Sequence, residues 1–275
     1  MLPKLELLSL FGNDQLVVSL SDIENARNLR SLVLDSTGLT SLKGIGKARS
    51  LTELNVQGNN LSGELPEEIS RLINLRSLSV SKNAFTGSIP YWLNNLPSLE
   101  TLLAADNDFG GSLIDFANFK KISYIDLSGN SLTGEIPLSF LASVDMEEKL
   151  VVDLSRNKLK GSIPRELVHL DRLTIHLRDN QISGIDRELC SAEGWNDYDV
   201  ERYGCDGILC PAGTSSAMGR QTSDTSACTP CEEAEYFGST ACYTEETSGA
   251  PYSSQLFAAV TLFATTALTV AFMEM

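Results

Sequence analysis

The sequence predicts an α/β repeat solenoid: a curved horseshoe with a parallel sheet on its concave side, then a small disulfide-rich segment and a hydrophobic tail. Three observations predict it. Eight segments recur at spacings of 22 to 27 residues with the same aliphatic pattern and, in most, a terminal asparagine. All six cysteines fall between 190 and 242, and residues 256–273 carry no charge. The expected divisions are therefore a solenoid over 1–189, a cysteine-rich cap and stalk over 190–243, a linker over 244–255 and the tail over 256–275.

The repeating segments read LELLSLFGN (5–13), LRSLVLDST (29–37), LTELNVQGN (51–59), LRSLSVSKN (75–83), LETLLAADN (99–107), ISYIDLSGN (122–130), KLVVDLSRN (149–157) and RLTIHLRDN (172–180). Two aliphatic residues separated by one, such as Leu78 and Val80, have strand period, so they point inward while the residues between them face out. The anchors Asn59, Asn83, Asn107, Asn130, Asn157 and Asn180 follow from the same geometry. A buried amide has donors and an acceptor for the backbone groups exposed where each coil bends, and those groups are costly if left unpaired. Thr37 interrupts the ladder, and its hydroxyl replaces only part of the amide's bonding, so the second turn is expected to be slightly irregular.

A second pattern follows the anchors: LSGELP (61–66), FTGSIP (85–90), LTGEIP (132–137) and LKGSIP (159–164), with FGGSLI (109–114) lacking the proline. Together the two patterns resemble the plant-type leucine-rich-repeat family over roughly the first 189 residues. Turns one to three lack the full second motif and look more like the shorter generic repeat. Single turns cannot bury their own apolar edges, so stability comes from stacking and the ends need caps. Met1 opens almost directly onto a repeat, with neither a cap nor a charged-then-apolar secretory signal, and the expectation is a chain whose missing start held both.

Past residue 189 the composition changes. The stretch with CPAGT, GRQTSDTSACTPC and FGSTAC is similar to small extracellular cysteine-rich modules, and in layout to the segment after the repeats in diatom and algal cell-surface repeat proteins. That resemblance implies a cap on the last coil. Cys190, Cys205, Cys210, Cys228, Cys231 and Cys242 are an even set in a loop-rich segment, which reads as a disulfide framework in an oxidising compartment. Fifteen pairings are open and the sequence does not choose among them; the pairing we expect joins Cys190 to Cys205, Cys210 to Cys228 and Cys231 to Cys242. Zinc held by paired thiolates is the rival reading, disfavoured because the segment has no histidine. The terminal run LFAAVTLFATTALTVAFM lacks a following basic cluster, so a glycosylphosphatidylinositol signal with attachment at Ser248 is preferred to a membrane span.

Charge excludes one class of partner. The chain carries a formal -15, and residues 190–275 hold only Arg202 and Arg220 against twelve acids, so neither half offers a basic face for nucleic acid. No nucleophile with a base, metal cluster or phosphate loop survives inspection, and neither catalysis nor a cofactor is expected. His176, with Asp153 and Asp126 at equivalent places on preceding turns, reads as part of an exposed sheet surface.

Binding is expected on the concave face, where stacking displays outward residues as columns. One column runs Ser9, Val33, Asn55, Ser79, Leu103, Asp126, Asp153, His176, and a second runs Phe11, Asp35, Gln57, Ser81, Ala105, Ser128, Ser155, Arg178. The carboxy-terminal turns gather Tyr124, Asp126, Asp153, His176 and Arg178, residue types that include those favoured at binding hot spots; the rival location for the ligand is the missing amino-terminal turns. Asn60, in Asn-Leu-Ser, is the single complete glycosylation acceptor. The expected role is an extracellular, non-catalytic recognition module at the cell surface or wall. It would bind a protein or cell-wall glycan, attach to the membrane through its tail and signal through a co-receptor. The alternative is a structural or adhesive wall component, or an inhibitor of a secreted hydrolase.

Overall fold

The computed structural model describes residues 4–15, 20, 23, 26–116, 118–144 and 149–242. Eight short strands, one per coil, form a single parallel sheet in chain order: Leu7–Ser9, Ser31–Val33, Glu53–Asn55, Ser77–Ser79, Thr101–Leu103, Tyr124–Asp126, Leu150–Asp153 and Leu173–His176. The register is unbroken, carrying Ser9 onto Val33, Asn55, Ser79, Leu103, Asp126, Asp153 and His176 in turn. The alternating aliphatics therefore stack as an inner spine; Leu32, Leu54, Leu78, Ile125 and Val152 are wholly inaccessible. Each such side chain contributes roughly 2 kcal/mol of burial.

The second motif forms its own short parallel strands. Ser62–Glu64 pairs with Ala84–Thr86, and Gly110–Ser112, Ser131–Gly134, Lys158–Ile163 and Gln181–Ile185 make a four-stranded sheet. Its glycine is a conformational requirement. Gly161 sits at φ 78, and a Cβ there would lie 2.9 Å from Glu135 Cγ on the preceding coil.

The helical half of the α/β expectation needs correcting. On the convex side the described residues form 3-10 turns, at Ile45–Lys47, Glu67–Arg71, Tyr91–Asn95 and Arg165–His169. Three of them start directly after the motif proline, Pro66, Pro90 or Pro164. A coil of 22 to 27 residues that already supplies two strands leaves about one turn of chain for the return, too little for an α-helix. Among the described residues the α-helix is Asp199–Tyr203, beyond the repeats.

The asparagine ladder carries the bends. Asn107 Nδ2 donates to the Val80, Ala104 and Ala105 carbonyls at 3.0, 3.3 and 3.2 Å, while its Oδ1 accepts from Phe85 N–H at 3.0 Å. Asn59, Asn83, Asn130, Asn157 and Asn180 repeat the pattern. Thr37 supplies one donor, to Leu34 O at 2.7 Å, and Asn59 Oδ1 reaches back to accept from both Thr37 N–H and Leu39 N–H. The irregularity at this turn is confined to the ladder, because the strand register on either side is intact.

The repeats and the cysteine-rich segment form one compact unit through Cys242. The bridges join Cys190 to Cys205, Cys210 to Cys228 and Cys231 to Cys242, with Cα separations of 4.4, 5.5 and 5.5 Å. This segment closes the open end of the eighth coil. Trp195 is fully buried there and donates from Nε1 to Leu170 O at 2.7 Å. Asn196 then serves as an edge partner: its N–H donates to Leu173 O, and its Oδ1 accepts from Ile175 N–H at 2.8 Å. Farther along, Gly238 O accepts from Asp179 N–H at 3.1 Å, the place a ninth coil would occupy.

Candidate functional site

The concave strand face is a continuous array, since the parallel register puts outward residues of successive coils side by side at about 4.8 Å spacing. Its middle is mixed, with half-buried Asn55 and Leu103 among largely buried Ser79, Ser81, Ala105 and Ser128. At the carboxy-terminal end Asp126 lies beside Asp153 and Asp153 beside His176, while Tyr124 lies beside Val151. Four of the five expected site residues thus come together on adjacent strands.

Each carboxylate has a local task as well. Asp126 Oδ1 accepts from Ser128 N–H at 3.0 Å, and Asp153 Oδ1 accepts from Ser155 N–H at 2.9 Å and from its hydroxyl at 2.6 Å. Asn55 does the same for Gln57 N–H, so this is a strand-end turn in which the side chain caps its own backbone. One oxygen of each aspartate is held, and the pair is presented in a fixed orientation.

The cysteine-rich segment forms a wall at this end. Lys149 Nζ pairs with Asp197 at 2.8 Å. Thr174, whose column neighbours Tyr124 and Val151 are half-buried, is itself buried. Buried Arg220 meets Asp199 at 2.6 Å and also acts electrostatically on His176. Arg178 is drawn toward this wall: its guanidinium touches Met218 Sδ at 3.9 Å, and a Cβ on Gly219 would lie 2.5 Å from Arg178 Cβ. The arginine therefore packs between sheet and cap.

The electrostatics follow from burial. Asp126 is pushed above the ordinary carboxylate value of 3.8, chiefly by desolvation, with Ser128 opposing and Asp153 and Asp106 reinforcing. Tyr124 is raised by burial and by Asp126 and Asp153. His176 is lowered from 6.5 by burial first, with Arg220 and Arg178 adding to the effect and Asp153 and Asp197 opposing it. A histidine depressed in the folded state leaves the unfolded chain to take the proton first. Stability is then full above pH 6.5 and falls as pH drops from there toward the folded-state value. We expect His176→Gln to remove part of the loss of Tm between pH 7 and 5; equal losses in variant and parent would show that His176 does not contribute.

Other expected sites stand apart. Asn60 is exposed. Cys231, Glu233 and Cys242 place potential ligand atoms within 4.8 Å of one another, but the two sulfurs are joined in a disulfide and offer no thiolate to zinc. Ser248 and the apolar run 256–273 lie outside the described residues. Among the described residues no helix is long and apolar enough to cross a membrane.

Comparisons with known proteins agree with this architecture. Two family models, both described as leucine rich repeat, match residues 49–109 and 121–142. Curated protein sequences yield no match. Among solved structures, the plant peptide hormone receptor RGFR1 in complex with RGF2 is 29% identical with a TM-score of 0.63, covering 70% of this chain and 32% of that one. The Arabidopsis receptor kinase HAESA, in complex with the peptide hormone IDA and the co-receptor SERK1, is 30% identical with a TM-score of 0.63, covering 70% and 33%. Internalin C2 from Listeria monocytogenes, 24% identical with a TM-score of 0.55 over 70% of this chain and 78% of that one, shares the fold. The chain spans about a third of the length of the two plant receptor chains. The eight-coil parallel sheet, the repeat matches and these likenesses give the chain a leucine-rich-repeat architecture, structurally close to that of the plant receptor kinases.

Proposed function

We propose that the chain is a non-catalytic recognition module that binds a peptide or protein ligand along its concave face, outside the cell. The observation that carries this reading is the unbroken outward column across eight coils, whose last three members are Asp126, Asp153 and His176, next to the cysteine-rich segment that caps the eighth coil. An extended ligand lying across the strands would meet a mixed surface over most of its length, with Phe11, Val33 and Leu103 among Asn55, Gln57 and largely buried serines. A fixed pair of carboxylates at one end would then select a Lys or Arg side chain. The two plant receptors of similar fold were solved with peptide hormones bound, and one with a co-receptor, which supports a signalling role through a partner.

Within this proposal the repeats form the binding domain over 1–189 and residues 190–243 the cap and stalk, followed by the linker 244–255. The tail 256–275 tethers the protein to the membrane, through a lipid at Ser248 or by spanning it. Asn60 carries a glycan, and the layout follows the algal cell-surface repeat proteins that the cysteine segment resembles.

A library of linear peptides presented to the full chain tests the reading. Retrieved peptides should be basic, and Asp126→Asn and Asp153→Asn should each weaken them about tenfold, the scale of one charged hydrogen bond. Peptides whose affinity ignores both substitutions would move the site elsewhere. Weak multivalent retention on wall material, with no peptide selected, would favour the adhesive alternative.

A further inference from the structure

A second concave feature lies on the rim where coils two to five enter the sheet, away from the aspartate pair. In each coil a buried leucine is flanked by two outward residues: Asn28 and Arg30 around Leu29, Ser50 and Thr52 around Leu51, Asn74 and Arg76 around Leu75, with Ser98 before Leu99. Coil three carries the short pair. The long pairs of coils two and four therefore stand as walls on either side, and a notch of about 340 Å³ opens between them, lined by Asn28, Arg30, Ser50, Thr52, Asn74 and Arg76, with Ser98 at its edge.

The floor is fixed by hydrogen bonds across coils. Thr52 Oγ1 donates to Arg30 O at 3.0 Å, Asn74 Nδ2 to Arg49 O at 3.1 Å, and the Ser50 hydroxyl to Arg27 O. Two strand spacings separate Arg30 from Arg76, about 9.5 Å along the rim. Arg27 and Arg49 contribute their backbone carbonyls to this floor. Acids bound the row on both sides: Glu100 meets Arg76 at 3.6 Å in an exposed pair, and exposed Glu6 precedes Arg30 in the same outward row, its carbonyl accepting from Arg30 N–H, while Glu53 is engaged by the Ser31 hydroxyl at 2.7 Å. Two arginines thus line one notch of a chain whose formal charge is -15.

We propose that this notch binds an acidic saccharide, with Arg30 and Arg76 on its carboxylate or sulfate groups and the Asn, Ser and Thr side chains on its hydroxyls. Arginine pairs with either anion in a forked geometry. The lining has no aliphatic or aromatic side chain on which a peptide side chain could be buried, whereas sugar hydroxyls match its donors and acceptors. The site is independent of the concave-face reading.

The test titrates the full chain with four probes: tetragalacturonate, a sulfated galactose tetramer, neutral galactotetraose and tetraglutamate. Binding of either acidic saccharide, weakening with salt and absent for the neutral tetramer, is the expected result; which of the two binds tells carboxylate from sulfate. Arg30→Gln and Arg76→Gln should each lower the affinity about tenfold. Both side chains are exposed, so these variants should keep the parent Tm. Ser50→Gln, which fills the notch without changing charge, should weaken binding as much, while Asp126→Asn should leave it unchanged. The proposal is overturned if no acidic saccharide binds, if tetraglutamate binds as well, or if the arginine and Ser50 variants bind like the parent.

Discussion

Replacing Trp195 with alanine should lower stability by about 4 kcal/mol, within the range for deleting a buried aromatic side chain. Trp195 is fully buried against the last coil, and its indole N–H donates to Leu170 O at 2.7 Å, so the substitution leaves a cavity and a carbonyl that keeps only the longer bond from Leu173 N–H at 3.3 Å. The effect should be directional. A repeat solenoid is held by contacts between neighbouring coils, so loss of the cap exposes the eighth coil first. Asn196, beside Trp195, accepts from Ile175 N–H. Hydrogen exchange should therefore quicken at Ile175 and Asp179 well before it does at Leu78. Trp195→Phe, which keeps most of the volume but has no N–H, should recover more than half of the loss. Uniform acceleration across all coils would mean that the cap does not act locally.

The two halves of this molecule differ in how much their residues disclose. In the repeats, period fixes facing: once Leu78 and Val80 are inward, Ser79 must be outward, and the same phase in seven other coils places Asp126, Asp153 and His176 side by side. The ladder asparagines are legible for the same reason, because one position recurs with one chemistry. The cap has no period. Trp195 and Asn196 occur once each, and nothing near them in sequence shows that they replace a ninth coil. Arg178 illustrates the consequence. Its place in the outward column is legible, but its packing against Met218 and Gly219 depends on a segment about forty residues later that the bridges fold back over the sheet. The convex side is legible only as far as the α/β class, because the motif proline marks the start of a helical turn equally well whether it continues as α or stops after one 3-10 turn, and coil length decides.

Asn130→Ala should cost about 3 kcal/mol, more than most polar substitutions, because it orphans one buried N–H and removes one of two hydrogen bonds from each of three carbonyls. Asn130 Nδ2 donates to the carbonyls of Ala104, Leu127 and Ser128 at 3.0, 2.9 and 3.2 Å, and Oδ1 accepts from Phe109 N–H at 3.0 Å. Phe109 N–H is left without its partner, which costs roughly 1–3 kcal/mol before relaxation, and each carbonyl falls back on one remaining donor: Asn107 Nδ2 for Ala104, Asn157 Nδ2 for Leu127 and Asp106 N–H for Ser128. Two further variants separate hydrogen bonding from packing. Asn130→Asp keeps the size and the acceptor but sets a carboxylate against three carbonyl oxygens, so at neutral pH it should be at least as harmful as alanine, with part of the loss returning as acid protonates it. Asn130→Thr reproduces the arrangement at Thr37, where one hydroxyl bond to the i−3 carbonyl is kept and the next asparagine compensates; it should fall between alanine and the parent. Denaturant unfolding of the three variants measures the order. If threonine were as costly as alanine, the compensation at Thr37 would be peculiar to coil two, and if alanine cost under about 1 kcal/mol the amide ladder would not be what holds the bends.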